Sequence, residues 1–108
     1  MIRQILLIEF APATQSAEVA ALRSAFLALP RQVPGVLSVE CGIGDRPQEQ
    51  GFSHSVLLTF ADEAARQRCL NHPDRLALEA QLSRCTSRLA VFDYTLYPDD
   101  RVGTEQGG

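Results

Sequence analysis

Apolar residues along this chain fall into four short runs and two longer periodic stretches. From Ile2 to Phe10 only Arg3, Gln4 and Glu9 are polar, which reads as a strand buried on both faces. Ala11-Pro12-Ala13-Thr14 breaks it. Val19, Leu22, Phe26 and Leu29 then recur at steps of three and four, the apolar face of a helix. Ser16 is its expected cap, Glu18 suits the helix dipole in its first turn, and Pro30 and Pro34-Gly35 are expected to end it. Val36 to Gly44 reads as a second strand, alternating with Ser38, Glu40 and Gly42 from Leu37 onward. Asp45 to Gly51 is a polar loop. His54 to Phe60 reads as a third strand, with His54, Val56, Leu58 and Phe60 on one face and Ser55, Leu57 and Thr59 on the other. Asp62 caps a short helix over Glu63 to Leu70, and Asn71-His72-Pro73 interrupts it. Pro73 fits the first position of a further helix with Leu78, Leu82 and Cys85 as its inner stripe. Ser87 to Tyr97 reads as a fourth strand, and 98–108, with no apolar run, as a mobile tail.

The order β-α-β-β-α-β, with its second helix broken in two, predicts an α+β fold. It is a ferredoxin-like subunit with a four-stranded antiparallel sheet, in one domain over residues 1–97. Helices cover one face of such a sheet. Residue parity puts Ile5 and Leu7 of the first strand opposite Ile2, Leu6, Ile8 and Phe10. In the fourth strand Leu89 and Val91 oppose Ala90, Phe92, Tyr94 and Leu96. Both faces are therefore apolar. A lone subunit would expose a continuous patch, so a homodimer joined through the sheet face is expected.

Composition narrows the function by exclusion. All 10 Lys+Arg residues are arginines, so there is no lysine for Schiff-base chemistry or for a phosphate-binding P-loop. The net charge of -3 and the 6% aromatic content, without Trp, argue against nucleic acid as a partner. No apolar run reaches the ~20 residues that span a bilayer. The N-terminal apolar stretch is interrupted by Glu9 and reads as a strand rather than a signal peptide, so the expectation is no membrane and a cytoplasmic location. Cys41, Cys69 and Cys85 are odd in number and widely spaced, which reads as three small buried hydrophobes and no metal site.

Several segments together resemble the stress-responsive A/B barrel domain family, the dimeric α/β barrel or Dabb family. Ile2 to Phe10 is similar to its opening strand. Leu29-Pro30 with Val33-Pro34-Gly35-Val36 is similar to its "lPxxvPGV" turn. Gly51 to Phe60 is similar to its "GyTHallvtF" strand, Leu70-Asn71-His72-Pro73 to its "yxxHPaH" helix break, and Val91-Phe92-Asp93-Tyr94 to its last strand. The ordered set covers residues 2 to 97. The resemblance implies a ferredoxin-like subunit that dimerises into a barrel through its sheets. The family includes stress proteins, proteins of unknown role and a plant polyketide cyclase that needs no cofactor or metal. In the cyclase a cleft between sheet and helices holds a His base at the last position of H-P-x-H, supported by a Tyr and a strand-four Asp. Here His72 is the first His of that motif, Arg75 stands where the base would be, Cys69 where the Tyr would be, and Gln4 where the first strand often carries His. Asp93 and His54 are kept. An arginine stays protonated and cannot abstract a proton, so the resemblance carries the cleft and the acid but not the base.

Three functional readings follow. The first is a small-molecule-binding dimer. Its cleft would be lined by Gln4, Leu6 and Ile8 of the first strand, Phe26 of the first helix, and Val56 of the third strand. Cys69, Arg75 and Leu78 of the broken helix complete it. Arg75, beside a helix N-terminus, would then favour an anionic group; its plainer reading is a solvated surface arginine. The second is a cofactor-independent cyclase, lyase or isomerase, with His54 or His72 as base and Asp93 as the catalytic orienting acid. The plainer readings are a hydrogen-bonded His54 at the strand start, an N-cap-like His72, and an Asp93–Arg75 ion pair. The third is a structural stress-associated dimer with a filled pocket.

Overall fold

The computed structural model of the chain describes residues 1–46 and 50–103. Residues 47–49 of the polar loop, and 104–108 of the expected mobile tail, lie outside the described residues. The elements are β1 (Ile2–Phe10), α1 (Ser16–Gln32), β2 (Val36–Ile43), β3 (His54–Phe60), α2 (Glu63–Leu70), α3 (Pro73–Cys85) and β4 (Thr86–Thr95), followed by a single 3-10 turn at Pro98–Asp100. The strands form one antiparallel sheet in the order β2-β3-β1-β4. Since β1 and β2 both run against β3, α1 is the crossover of a split βαβ unit, and the fold is ferredoxin-like α+β as expected.

The structure differs from the sequence-based expectation at three places. The cap of α1 is Gln15 rather than Ser16. Its backbone N–H donates to Glu18 Oε1 at 3.2 Å, so Glu18 turns back on the helix start. Pro30 does not end α1, which runs on to Gln32. Proline deletes only one donor in this last turn. Leu29 and Val33 flank it with no exposed surface, and the Val33 N–H closes the helix on the Leu29 carbonyl at 2.9 Å. β1 is buried on one face only within the chain: Ile2, Gln4, Leu6 and Ile8 lie under the helices, while Leu7 is exposed on the other side.

α2 begins at Asp62, whose carboxylate accepts from the Ala65 N–H at 2.8 Å. Gly35, at φ +92°, makes the turn between α1 and β2. A Cβ there would lie 2.5 Å from Ala65 Cβ, so α2 can seat on this turn only over a glycine. The core is one cluster between the helices and the sheet. It is centred on Leu6, Phe26, Leu29, Leu58 and Phe60, with Cys69, Leu78 and Leu82 from the broken helix. Burial of each large apolar side chain there is worth about 1.5–3 kcal/mol.

Candidate functional site

Strand pairing arranges the helix-facing side of the sheet in rows across β2, β3, β1 and β4. The first row is Ile43, His54, Ile8 and Leu89. The second is Cys41, Val56, Leu6 and Val91, and the third is Val39, Leu58, Gln4 and Asp93. The first and third rows are four residues apart along β1, about 14 Å at the rise of a strand. The residues expected to share one cleft are divided by this distance into two groups with different environments.

The third row carries a buried chain of polar side chains. Arg75 is 2% exposed, so it is not the solvated surface arginine of the plainer reading. Pro73 and the His72 cap start α3 so that position 75 falls on the stripe of Leu78, Leu82 and Cys85, facing inward. A cation buried there needs acceptors. Arg75 Nη2 donates to Gln4 Oε1 at 2.6 Å, Nε donates to Glu79 Oε1 at 3.1 Å, and Nη1 lies 4.0 Å from Cys69 Sγ. Gln4 Nε2 in turn donates to Asp93 Oδ1 at 3.0 Å, and Arg66 Nη1 reaches the same oxygen at 3.7 Å. The expected Asp93–Arg75 ion pair is therefore not direct. Gln4 stands between them, its amide oxygen accepting from Arg75 and its amide nitrogen donating to Asp93. Arg75 is committed inside the protein rather than turned to an anion in an open cleft.

The first two rows border a cavity of about 330 Å³, open on one side between α1 and the β1–β3–β2 end of the sheet. Its walls include Ile8, Phe26, His54 and Val56, all among the expected site residues, together with Phe10, Val19, Arg23, Cys41 and Ile43, which were not foreseen. A legible signal existed for α1: Val19, Arg23 and Phe26 stand at i, i+4 and i+7, so one helix face presents all three. For β2 the parity of Cys41 and Ile43 with His54 depended on the hairpin register, which the loop between them concealed. Leu6, Cys69 and Leu78 do not line the cavity; they are sealed in the core at 0–2% exposure.

The histidines separate as well. His54 Nδ1 lies 2.7 Å from Ser53 Oγ, and its ring meets Phe10 edge-on with centroids 4.9 Å apart. Burial against this wall pulls its pKa below the ordinary value of 6.5, so the imidazole is neutral at neutral pH. His72 is the N-cap of α3. Its Nδ1 accepts from the Asp74 N–H at 3.1 Å, with Asp74 Oδ2 3.7 Å away. Neither histidine meets Asp93, so no His–Asp pair of the kind expected for base catalysis is assembled within the chain.

All three cysteines are free: Cys69 and Cys85 are buried and Cys41 half-buried. Burial raises each thiol above its ordinary pKa, opposed at Cys41 by Arg23 and at Cys69 by Arg75, and reinforced at Cys85 by Glu18, which accepts from Cys85 Sγ at 3.2 Å. Protonated thiols are poor nucleophiles. Among the described residues no three His, Cys, Asp or Glu side chains come together as metal ligands. None of the described helices is long and apolar enough to cross a membrane.

A family model described as Stress Responsive A/B Barrel Domain matches residues 2–96. Among solved structures, the chain is similar to a protein of Arabidopsis thaliana at TM-score 0.81 and 17% identity, covering 96% of this chain and 100% of that one. It is similar to the hydroxynitrile lyase of Passiflora edulis at TM-score 0.82 and 16% identity, covering 90% and 94%. A dimeric ferredoxin-like protein of unknown function from Thermobifida fusca superposes at TM-score 0.77 and 19% identity, covering 88% and 90%. No curated protein sequence matches the chain significantly.

Proposed function

Because the chain belongs to the stress-responsive A/B barrel domain family, we propose that it works as a homodimer, each subunit binding a small, partly apolar molecule in the cavity between α1 and the sheet. The observation that carries this is the cavity itself. A space of about 330 Å³ with Ile8, Phe26 and Val56 as apolar wall and His54 as a polar group is of ligand size. The dimer rests on the opposite face of the sheet. Ile5, Leu7, Leu57 and Phe92 lie there together, with Leu7 at 38% and Phe92 at 63% exposure, and Arg3 Nε, buried on the same face, has no hydrogen-bond partner in the chain. Proteins of the same fold described as dimeric support a dimer here. Three free cysteines suit a reducing compartment such as the cytoplasm.

Native mass spectrometry of the purified protein, followed by denaturing analysis of what it releases, tests both parts. A dimer carrying a small molecule is the expected result. A stable monomer would overturn the sheet pairing, and a dimer that neither carries nor takes up any small apolar molecule would return the protein to the structural reading.

A second reading is favoured by one observation. His54 stands in the cavity wall with an imidazole whose pKa burial lowers, favouring the neutral state a general base requires. A hydroxynitrile lyase with this fold makes catalysis compatible with the scaffold. On this reading His54→Gln removes turnover of a cavity substrate by about 100-fold or more and leaves the folded state intact. Turnover that survives the substitution removes His54 as the base.

A further inference from the structure

Arg75 was the residue expected to hold an anion, and it is buried and engaged. A different arginine stands at the cavity. Arg23 lies in the exposed part of α1 and borders the cavity beside Val19 and Phe26. It is close enough to Cys41 on the opposite wall for its charge to bear on that thiol. No carboxylate lies within ion-pair distance of it among the described residues, whereas Arg66, Arg75 and Arg88 each have one. The cause is visible in the sequence. A helical arginine finds its acid three or four residues away, and those places around Arg23 hold Val19, Ala20, Phe26 and Leu27.

A cation left unpaired at the rim of an apolar hollow is worth more to an anion than one in open water, because the low-dielectric wall screens it less. His54, on β3, gives the same hollow a second polar group. Its Nδ1 is held by Ser53, and Nε2 takes no partner among the described residues. Ile8, Phe10, Val19, Phe26 and Val56 make most of the remaining wall apolar, with Cys41 and Ser55 at the β2–β3 side. Ile43, at 73% exposure beside the opening, extends that apolar surface outward.

We infer that the cavity takes a small monocarboxylate with an acyl or aryl body, its carboxylate held at the rim by Arg23 and its hydrocarbon lying between Phe26 and Val56. This rests on the reading of the cavity as the binding site, and it names the ligand class and the residue that selects it. The guanidinium fork donates two hydrogen bonds to a carboxylate and has no equivalent partner in an amide or alcohol. The selection is therefore against neutral isosteres.

The test compares octanoate with octanamide, and 3-phenylpropanoate with 3-phenylpropanamide, by calorimetry and by amide chemical-shift mapping on the full chain and on Arg23→Gln. The expected result is that each carboxylate binds about tenfold or more tightly than its amide. The shifts should centre on Ile8, His54 and Ile43. Arg23→Gln should remove the preference while leaving the amide's affinity and the melting temperature unchanged, and Arg23→Lys should restore part of it. Equal binding of acid and amide, or a preference that survives Arg23→Gln, overturns the inference and leaves the cavity reading standing. Binding of neither class, or shifts confined to another surface, overturns both.

Discussion

The two ends of the helix-facing surface of the sheet answer the same problem in opposite ways. At the Gln4 row, α3 presses an arginine onto the sheet, and the chain surrounds it with its own acceptors until the space is filled. At the His54 row, α1 presents an arginine at the edge of a gap and provides no acid for it. Both rows belong to the same strands and differ by four residues. Residue type does not decide which end can bind, since each has an arginine, a cysteine and a polar strand residue. What decides is whether the arginine itself is already engaged from inside, as Arg75 is by Gln4 and Glu79. A satisfied buried network fixes structure, and an unsatisfied rim is free to meet a ligand.

The largest expected effect breaks the closed end. Arg75→Ala leaves Gln4 Oε1 without its 2.6 Å donor and opens a hole beside Cys69. The cost should be about 3 kcal/mol, read as a lower urea midpoint. Arg75→Met refills most of that volume without a charge to bury and should cost less than half as much. If Arg75→Ala costs under ~0.5 kcal/mol, the value typical of a surface change, the relay is not what closes this end. The contrast with Arg23→Gln, which should leave stability unchanged, is the direct measure of the difference between the two ends.

A second substitution closes the open end. Cys41→Phe on β2 projects a ring into the cavity from a half-buried position on an edge strand. It should abolish octanoate binding in the calorimetric assay. Its stability should change by no more than about 1 kcal/mol, because the ring fills existing space rather than displacing packed atoms. Undiminished binding would place the ligand elsewhere.

Much of the fold could be read from the chain because its signals were local. The bounds of β1, β3 and α2 follow from the runs Ile2–Phe10, His54–Phe60 and Glu63–Leu70, each fenced by a proline, a polar loop or an N-cap. Pro30 misled because a proline's effect depends on where the helix ends, and packing of Leu29 and Val33 sets that end. The site was less legible because it depends on register and on contacts between distant segments. The Gln4–Asp93 bond joins residues 89 positions apart and the Gln4–Arg75 bond joins residues 71 apart. The spacing of Arg75 in its own helix put it on the inner stripe, yet a charge on that stripe is stable only with partners from β1 and beyond. Arg23 is hard to read in the sequence for the opposite reason: it interrupts an apolar face and belongs to no motif.

The smallest effect lies in the titration of His54 and separates the two ends by pH. Burial lowers its pKa in the folded protein below 6.5, and desolvation is the cause. Well above 6.5 the imidazole is neutral in both folded and unfolded chains, and the shift contributes nothing to the difference between them. As pH falls through 6.5 the unfolded chain takes up the proton first, so stability declines until the folded-state pKa is passed. His54→Gln should flatten this decline, and a two-dimensional NMR titration should give His54 a midpoint below 6.5 in the free protein. A carboxylate seated beside the ring favours the imidazolium and moves that midpoint upward, while octanamide has no charge to do so. An acid and an amide that shift the His54 midpoint equally would mean that no anion reaches this wall, and the difference drawn between the two arginines would lose its functional meaning.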